Sequence, residues 1–124
     1  MSAHVDLDQL AAALDDFTFA YLVTVNEGHR AHVVTVDPRF AEGIFIIDAA
    51  GDRTSTNLAR HHDVTIIWPP GDPGGYTLLV DGRAELSSGT IKITPSRAVL
   101  HRPAAPETKQ STPGCLHDCV PLEE

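Results

Sequence analysis

The feature that most constrains this chain is a succession of short β-branched and aromatic runs, each closed by turn residues. Phe19–Val25 (FAYLVTV), Ala31–Val36 (AHVVTV) and Ile44–Asp48 (IFIID) follow one another, with Asn26-Glu27-Gly28 and Asp37-Pro38-Arg39 between them. Val, Ile, Thr, Phe and Tyr fit a pleated surface, while Gly, Pro, Asn and Asp supply turn conformations. A fourth run, Val64–Trp68 (VTIIW), stops at Pro69-Pro70, and Gly71–Gly75 (GDPGG) has the composition of a hairpin loop. Tyr76–Leu86 and Thr90–His101 are longer runs. Gly82 marks a bulge or barrel corner in the first, and Pro95 an edge or bend in the second, since proline cannot donate to a ladder. Connections this short suit an antiparallel meander and not βαβ units.

Two short helical segments accompany the strands. Residues 5–16 (VDLDQLAAALDD) put Val5, Leu7, Leu10, Ala11 and Leu14 on one side of a helix, with Asp6 or Asp8 available to cap it. Before the fourth strand, Thr54, Ser55 and Thr56 are good N-cap residues for one or two turns over Asn57–His61. The expected fold is therefore mainly β: a six-stranded antiparallel barrel with two short helices, closure being the way a small sheet removes its edges. Several strands are apolar on both faces, as where Leu78 and Val80 alternate with Leu79, or where Val34 lies between Val33 and Thr35. One face fills the barrel. The other needs a second surface, and a symmetric homodimer supplies one.

At 124 residues the chain has room for one domain, read here as residues 1–102. Residues 103–124 differ in texture, with prolines at 103, 106, 113 and 121, and read as an extended tail across a partner subunit or as plain disorder. Nine Lys+Arg against 17 Asp+Glu give a formal net charge of −8, which argues against nucleic acid as a partner. A small anionic ligand stays open, because one or two placed arginines suffice for it. No apolar run approaches the ~20 residues of a membrane span, and no signal-peptide pattern opens the chain, so a soluble cytoplasmic protein is expected. Both cysteines, Cys115 and Cys119, lie in the tail, so no disulfide framework holds the domain.

The stretch richest in chemistry is Gly51–Arg60 (GDRTSTNLAR). A glycine turn leads from a strand into Arg53, three hydroxyl residues and a helix start, where unpaired backbone N–H groups and the helix dipole favour an anion. The functional reading is a phosphate-bearing ligand. The plainer one has Thr54 or Ser55 capping the helix and Arg53 solvated. Of the histidines, His61-His62 suit the end of the short helix, His29 lies in a turn, and His32 starts an alternating strand as a core or pocket residue. None has metal-ligand spacing to another. Cys115, His117 and Cys119 fall within five residues, yet no second pair completes a tetrahedral site, so no metal is assigned. Nucleophile-elbow and phosphate-loop motifs are absent from the sequence, and any redox chemistry then belongs to a cofactor.

From the first helix to His101, the order of these pieces resembles the pyridoxamine-phosphate-oxidase-like split β-barrel family of flavin- and deazaflavin-binding proteins. The resemblance is carried by FAYLVTVNEGHRAHVVTV, IFIIDAAGDRTSTNLARHHDVTIIW, YTLLVDGRAEL and ITPSRAVLHR. It implies a homodimer with FMN, or the deazaflavin coenzyme, in a groove between subunits, and hydride transfer to a small-molecule substrate. By position, Arg53, Thr54, Ser55 and Asn57 are expected at the phosphate or ribityl chain. Val34, Thr35 and Val36 are expected beside the isoalloxazine, and Trp68 closes the groove or sits in the core. Where many members carry a lysine or second arginine, this chain has Thr54-Ser55-Thr56. That departure leaves a non-catalytic, cofactor-free binding protein as the alternative.

Overall fold

A computed structural model describes residues 2–103. Strand β1 (Ser2–Val5) is followed by a 3-10 turn (Leu7–Gln9) that runs into α1 (Leu10–Leu14). Then come β2 (Ala20–Val25), β3 (Ala31–Val36), β4 (Arg39–Ala41), β5 (Ile44–Ile47), α2 (Asp52–Arg60), β6 (Asp63–Trp68), β7 (Thr77–Ser87) and β8 (Thr90–His101). All six expected strands form. Two short ones are added, so the sheet has eight strands where six were expected. One addition, β4, folds the chain back on β5 through the Phe40–Phe45 pair. The other, β1, corrects the expected helix over 5–16: residues 2–5 pair with the last strand, and helical structure is confined to 7–14. A distant partner offering four ladder positions outweighs the local helical pattern, which at this length is marginal by itself. Asp6 precedes the 3-10 turn but makes no side-chain cap.

Strand order is β3-β2-β6-β7-β8-β5-β4, all antiparallel, with β1 also on β8. β7 and β8 pair along their whole length and bend together at Asp81/Gly82, where the register shifts and Gly82 stands opposite Pro95. A Cβ on Gly82 would lie 2.7 Å from both Ile93 Cγ2 and the Thr94 carbonyl oxygen, so the bend requires glycine. The other edge of β8 is divided: β5 takes Ile91–Ile93 and β1 takes Ala98–His101. Pro95 falls in the gap between them, where its missing N–H costs no ladder bond on that side. The bend curls the sheet into a half-barrel. Its ladder does not close, because β3 and β4 stand at its two ends.

Inside the curl, Leu22, Phe45, Ile66, Leu78, Ile91 and Ile93 are fully buried, sealed by Leu10 of α1 and Leu58 of α2. On the convex side the register sets Val33 beside Val23, and Tyr21 beside Ile67 beside Leu79. Val33 is 53% exposed there and Phe19 41%, so an apolar outer face does exist. No helix among the described residues is long and apolar enough to cross a membrane.

Candidate functional site

The open ends of the sheet flank a groove of about 590 Å³, within the range of small-molecule sites. Val34, Thr35 and Val36 of β3 form one wall, the continuous stretch from Ile47 to Thr54 forms the other, and Leu22 and Ile91 lie between them. On β3 the pleat alternates: His32, Val34 and Val36 are half-buried, whereas Ala31, Val33 and Thr35 are exposed.

The second wall is a strand end, a turn and a helix start. After Ile47 the chain turns through Ala49 in the left-handed region (φ 61°), and the Ala50 N–H donates to the Gly89 carbonyl at 2.9 Å. Gly51 is the N-cap of α2, with extended backbone and no side-chain cap, and nothing lies within 4 Å of the position its Cβ would take. This corrects the expected caps. Thr54, Ser55 and Thr56 sit inside the helix: the Ser55 N–H donates to the Gly51 carbonyl at 2.9 Å, and the Thr56 hydroxyl to the Asp52 carbonyl at 2.9 Å. The helix starts earlier because Asp52 suits a first turn and Gly51, in ordinary extended backbone, is an accepted N-cap residue. Its opening N–H groups, which have no partner inside the helix, thus belong to the groove-lining stretch.

The charges are unequal. Arg39 at the rim is held by Asp48 at 3.3 Å. Arg53 lines the groove without an ion-pair partner among the described residues. Asp37 and Asp52 also line it. The groove can therefore receive one compact anion at the α2 start, and it offers an apolar strip along β3 for a flat ring.

Of the residues singled out from the sequence, Val34, Thr35, Val36, Arg53 and Thr54 come together here, Thr54 being buried. Three do not line the groove. Ser55 is set back in the helix, and Asn57 points inward, its amide donating to Thr24 Oγ1 at 3.0 Å. Trp68 is a core residue packed 5.3 Å from Phe45, not a cover for the groove. His32, expected as a core or pocket residue, also lines the groove, as do Asp37, Arg39, Asp48 and Asp52, which were not assigned to the site although the turn residues at the ends of β3 and β5 carried the signal. Cys115, His117 and Cys119 lie outside the described residues. Within those residues no group of three His, Cys, Asp or Glu is placed to hold a metal.

No family model matches the chain. It is 46% identical, over an alignment of 132 positions, to proteins of Mycobacterium bovis and Mycobacterium tuberculosis, both described as uncharacterized. Each alignment covers 94% of this chain and 93% of the relative. The chain belongs to one family with these mycobacterial proteins. Solved structures identify the fold. A Listeria innocua protein assigned as a pyridoxamine 5'-phosphate oxidase superposes with a TM-score of 0.62 at 18% identity, covering 76% of this chain and 96% of that one. An FAD-binding protein of Mesorhizobium loti gives 0.65 at 12% identity, covering 81% and 96%. An F420 reductase gives 0.59 at 14% identity, covering 70% and 93%. The fold is the pyridoxamine-phosphate-oxidase-like split barrel. In this split barrel, the groove just described is the opening between the sheet's ends.

Proposed function

We propose that this split barrel is a cytoplasmic homodimer that binds a flavin-type cofactor, FMN or a deazaflavin, and passes hydride to a small-molecule substrate. One observation carries the reading: an uncapped helix start, open at Gly51, meets Arg53, which has no ion-pair partner among the described residues, on the wall of a groove of about 590 Å³. Those groups fit a single phosphate, held by the Arg53 guanidinium and first-turn N–H groups, with Thr54 beside it. The strip of Val34 and Val36 on the half-buried face of β3 suits the apolar ring. When bound, the cofactor supplies the hydride chemistry, and the chain's residues bind it, orient it and keep water from the apolar wall. An FAD-binding protein and an F420 reductase among the structural neighbours support a flavin-type ligand. The outer face around Val33 and Phe19 supports self-association.

A second reading, a binding protein without cofactor, is favoured by the excess of carboxylates at the groove: Asp37, Asp48 and Asp52 against Arg39 and Arg53. The two separate on purification from a host that makes both cofactors. A flavin or deazaflavin absorption band, or a saturable thermal shift with either, supports the first. At one hundred times its dissociation constant a ligand stabilises the fold by about 2.7 kcal/mol, a shift readily seen. A colourless protein indifferent to both supports the second.

A further inference from the structure

A second cavity, of about 310 Å³, lies beneath α1 and next to the groove. Leu14, Phe17, Phe40 and Trp68 contribute its apolar surface, and Asp15 and Asp37 its carboxylates. Asp37 lines the groove as well, so the two spaces share it as a wall.

Its aromatic side is built from the sheet inward. Phe40 of β4 packs on Phe45 of β5 with ring centroids 4.6 Å apart, and Phe45 packs on Trp68 of β6 at 5.3 Å. Phe45 is fully buried and Trp68 nearly so, which leaves this column little freedom to collapse into the space beside it. Both carboxylates lack an ion-pair partner among the described residues, and no lysine, arginine or histidine lines the cavity. Two carboxylates lining a cavity that Phe17, Phe40 and Trp68 also line attract a cation, through their charge and through the quadrupoles of the rings. The same charges disfavour an anion.

We propose that this cavity is a second ligand site, for a small aromatic molecule carrying a protonated amine. The ring lies against the Phe40 side, and the ammonium between Asp15 and Asp37. The site stands without the flavin reading, and the shared Asp37 puts its occupant beside whatever fills the groove.

Trp68 is the chain's single tryptophan and lines this cavity, so its fluorescence reports occupancy directly. The test titrates the full-length protein with phenethylamine, 2-phenylethanol and phenylacetate, before and after adding FMN. Expected is a saturable change with phenethylamine, at least about tenfold tighter than with phenylacetate, given the cost of like charges. In the doubly substituted Asp15→Asn, Asp37→Asn protein that preference disappears. Both side chains are exposed, so the variant keeps the wild-type melting temperature. No saturable change with phenethylamine, equal affinity for phenylacetate, or an unaltered preference in the double variant overturns the proposal. The FMN absorption and thermal shift are read separately, so failure of the flavin reading does not touch this outcome.

Discussion

The Asn57 side-chain amide donates a 3.0 Å hydrogen bond to Thr24 Oγ1, and both residues are buried, at 3% and 1% exposure. The bond joins α2 to β2, and Thr24 stands directly opposite His32 in the β2–β3 register. It therefore sets the helix that opens at the groove relative to the strand pair forming the facing wall. Asn57 thus acts on the groove through the position of α2.

Replacing Asn57 by Leu leaves the Thr24 hydroxyl buried without this partner, at a cost of about 1–3 kcal/mol. A lower urea midpoint with an unchanged slope is the expected result. Adding Thr24→Val to Asn57→Leu should recover part of the loss, since an apolar pair leaves nothing unsatisfied. Additive losses in the double variant would show that the bond is not what matters.

Arg53→Ala removes a guanidinium that lines the groove. If FMN phosphate is held there, affinity falls by about 1.5–3 kcal/mol, as for other charge-assisted hydrogen bonds. Riboflavin, which lacks the phosphate, should bind both proteins alike. Equal FMN affinity in a fluorescence titration of wild type and variant would remove Arg53 from the phosphate site.

Gly82→Ala tests the bend. The added methyl meets the Thr94 carbonyl and Ile93 Cγ2 at 2.7 Å, and the carbonyl belongs to a paired strand. Overpacking of this kind costs about 1–3 kcal/mol. The melting temperature should drop, whereas the same substitution at Gly51, which has open space around its Cβ position, should cost less.

Val33→Lys tests self-association. Val33 is 53% exposed, so within one chain the change is expected to cost less than about 0.5 kcal/mol. Across a symmetric interface it buries two like charges, and sedimentation should show a dimer becoming a monomer of unchanged melting cooperativity. A wild type that already sediments as a monomer ends the homodimer proposal.

Much of this fold was legible because its strands carry their own punctuation. The β2–β3 hairpin, the stop at Pro69-Pro70, and the Gly82 and Pro95 bend all follow from local chemistry. What escaped were the elements whose existence depends on distant partners. Ser2–Val5 has no strand signal apart from β8, and Arg39–Ala41 is only three residues long. The α2 start was misplaced because hydroxyl residues look like caps, yet a glycine before an aspartate made the earlier start available. Of the groove's lining, Arg53 could be singled out from its own segment, and Val34, Thr35 and Val36 through the family resemblance. Trp68 could not be placed, because an apolar run does not say which of its side chains faces a groove and which faces the core.

The clasp between the first and last strands makes neighbours of residues 99 positions apart: Ser2 pairs with His101, and Ser2 Oγ lies 2.8 Å from His101 Nδ1. Joining those ends by a short linker in place of residues 104–124, and opening the chain in the exposed Gly71–Gly74 loop, would preserve every ladder pairing. In such a circular permutant the β1–β8 contact becomes local. The loop closure is moved and not removed: the β6–β7 hairpin, opened at its turn, becomes the long-range pair, and because its ladder is longer than that of β1 on β8 the permuted chain should fold more slowly.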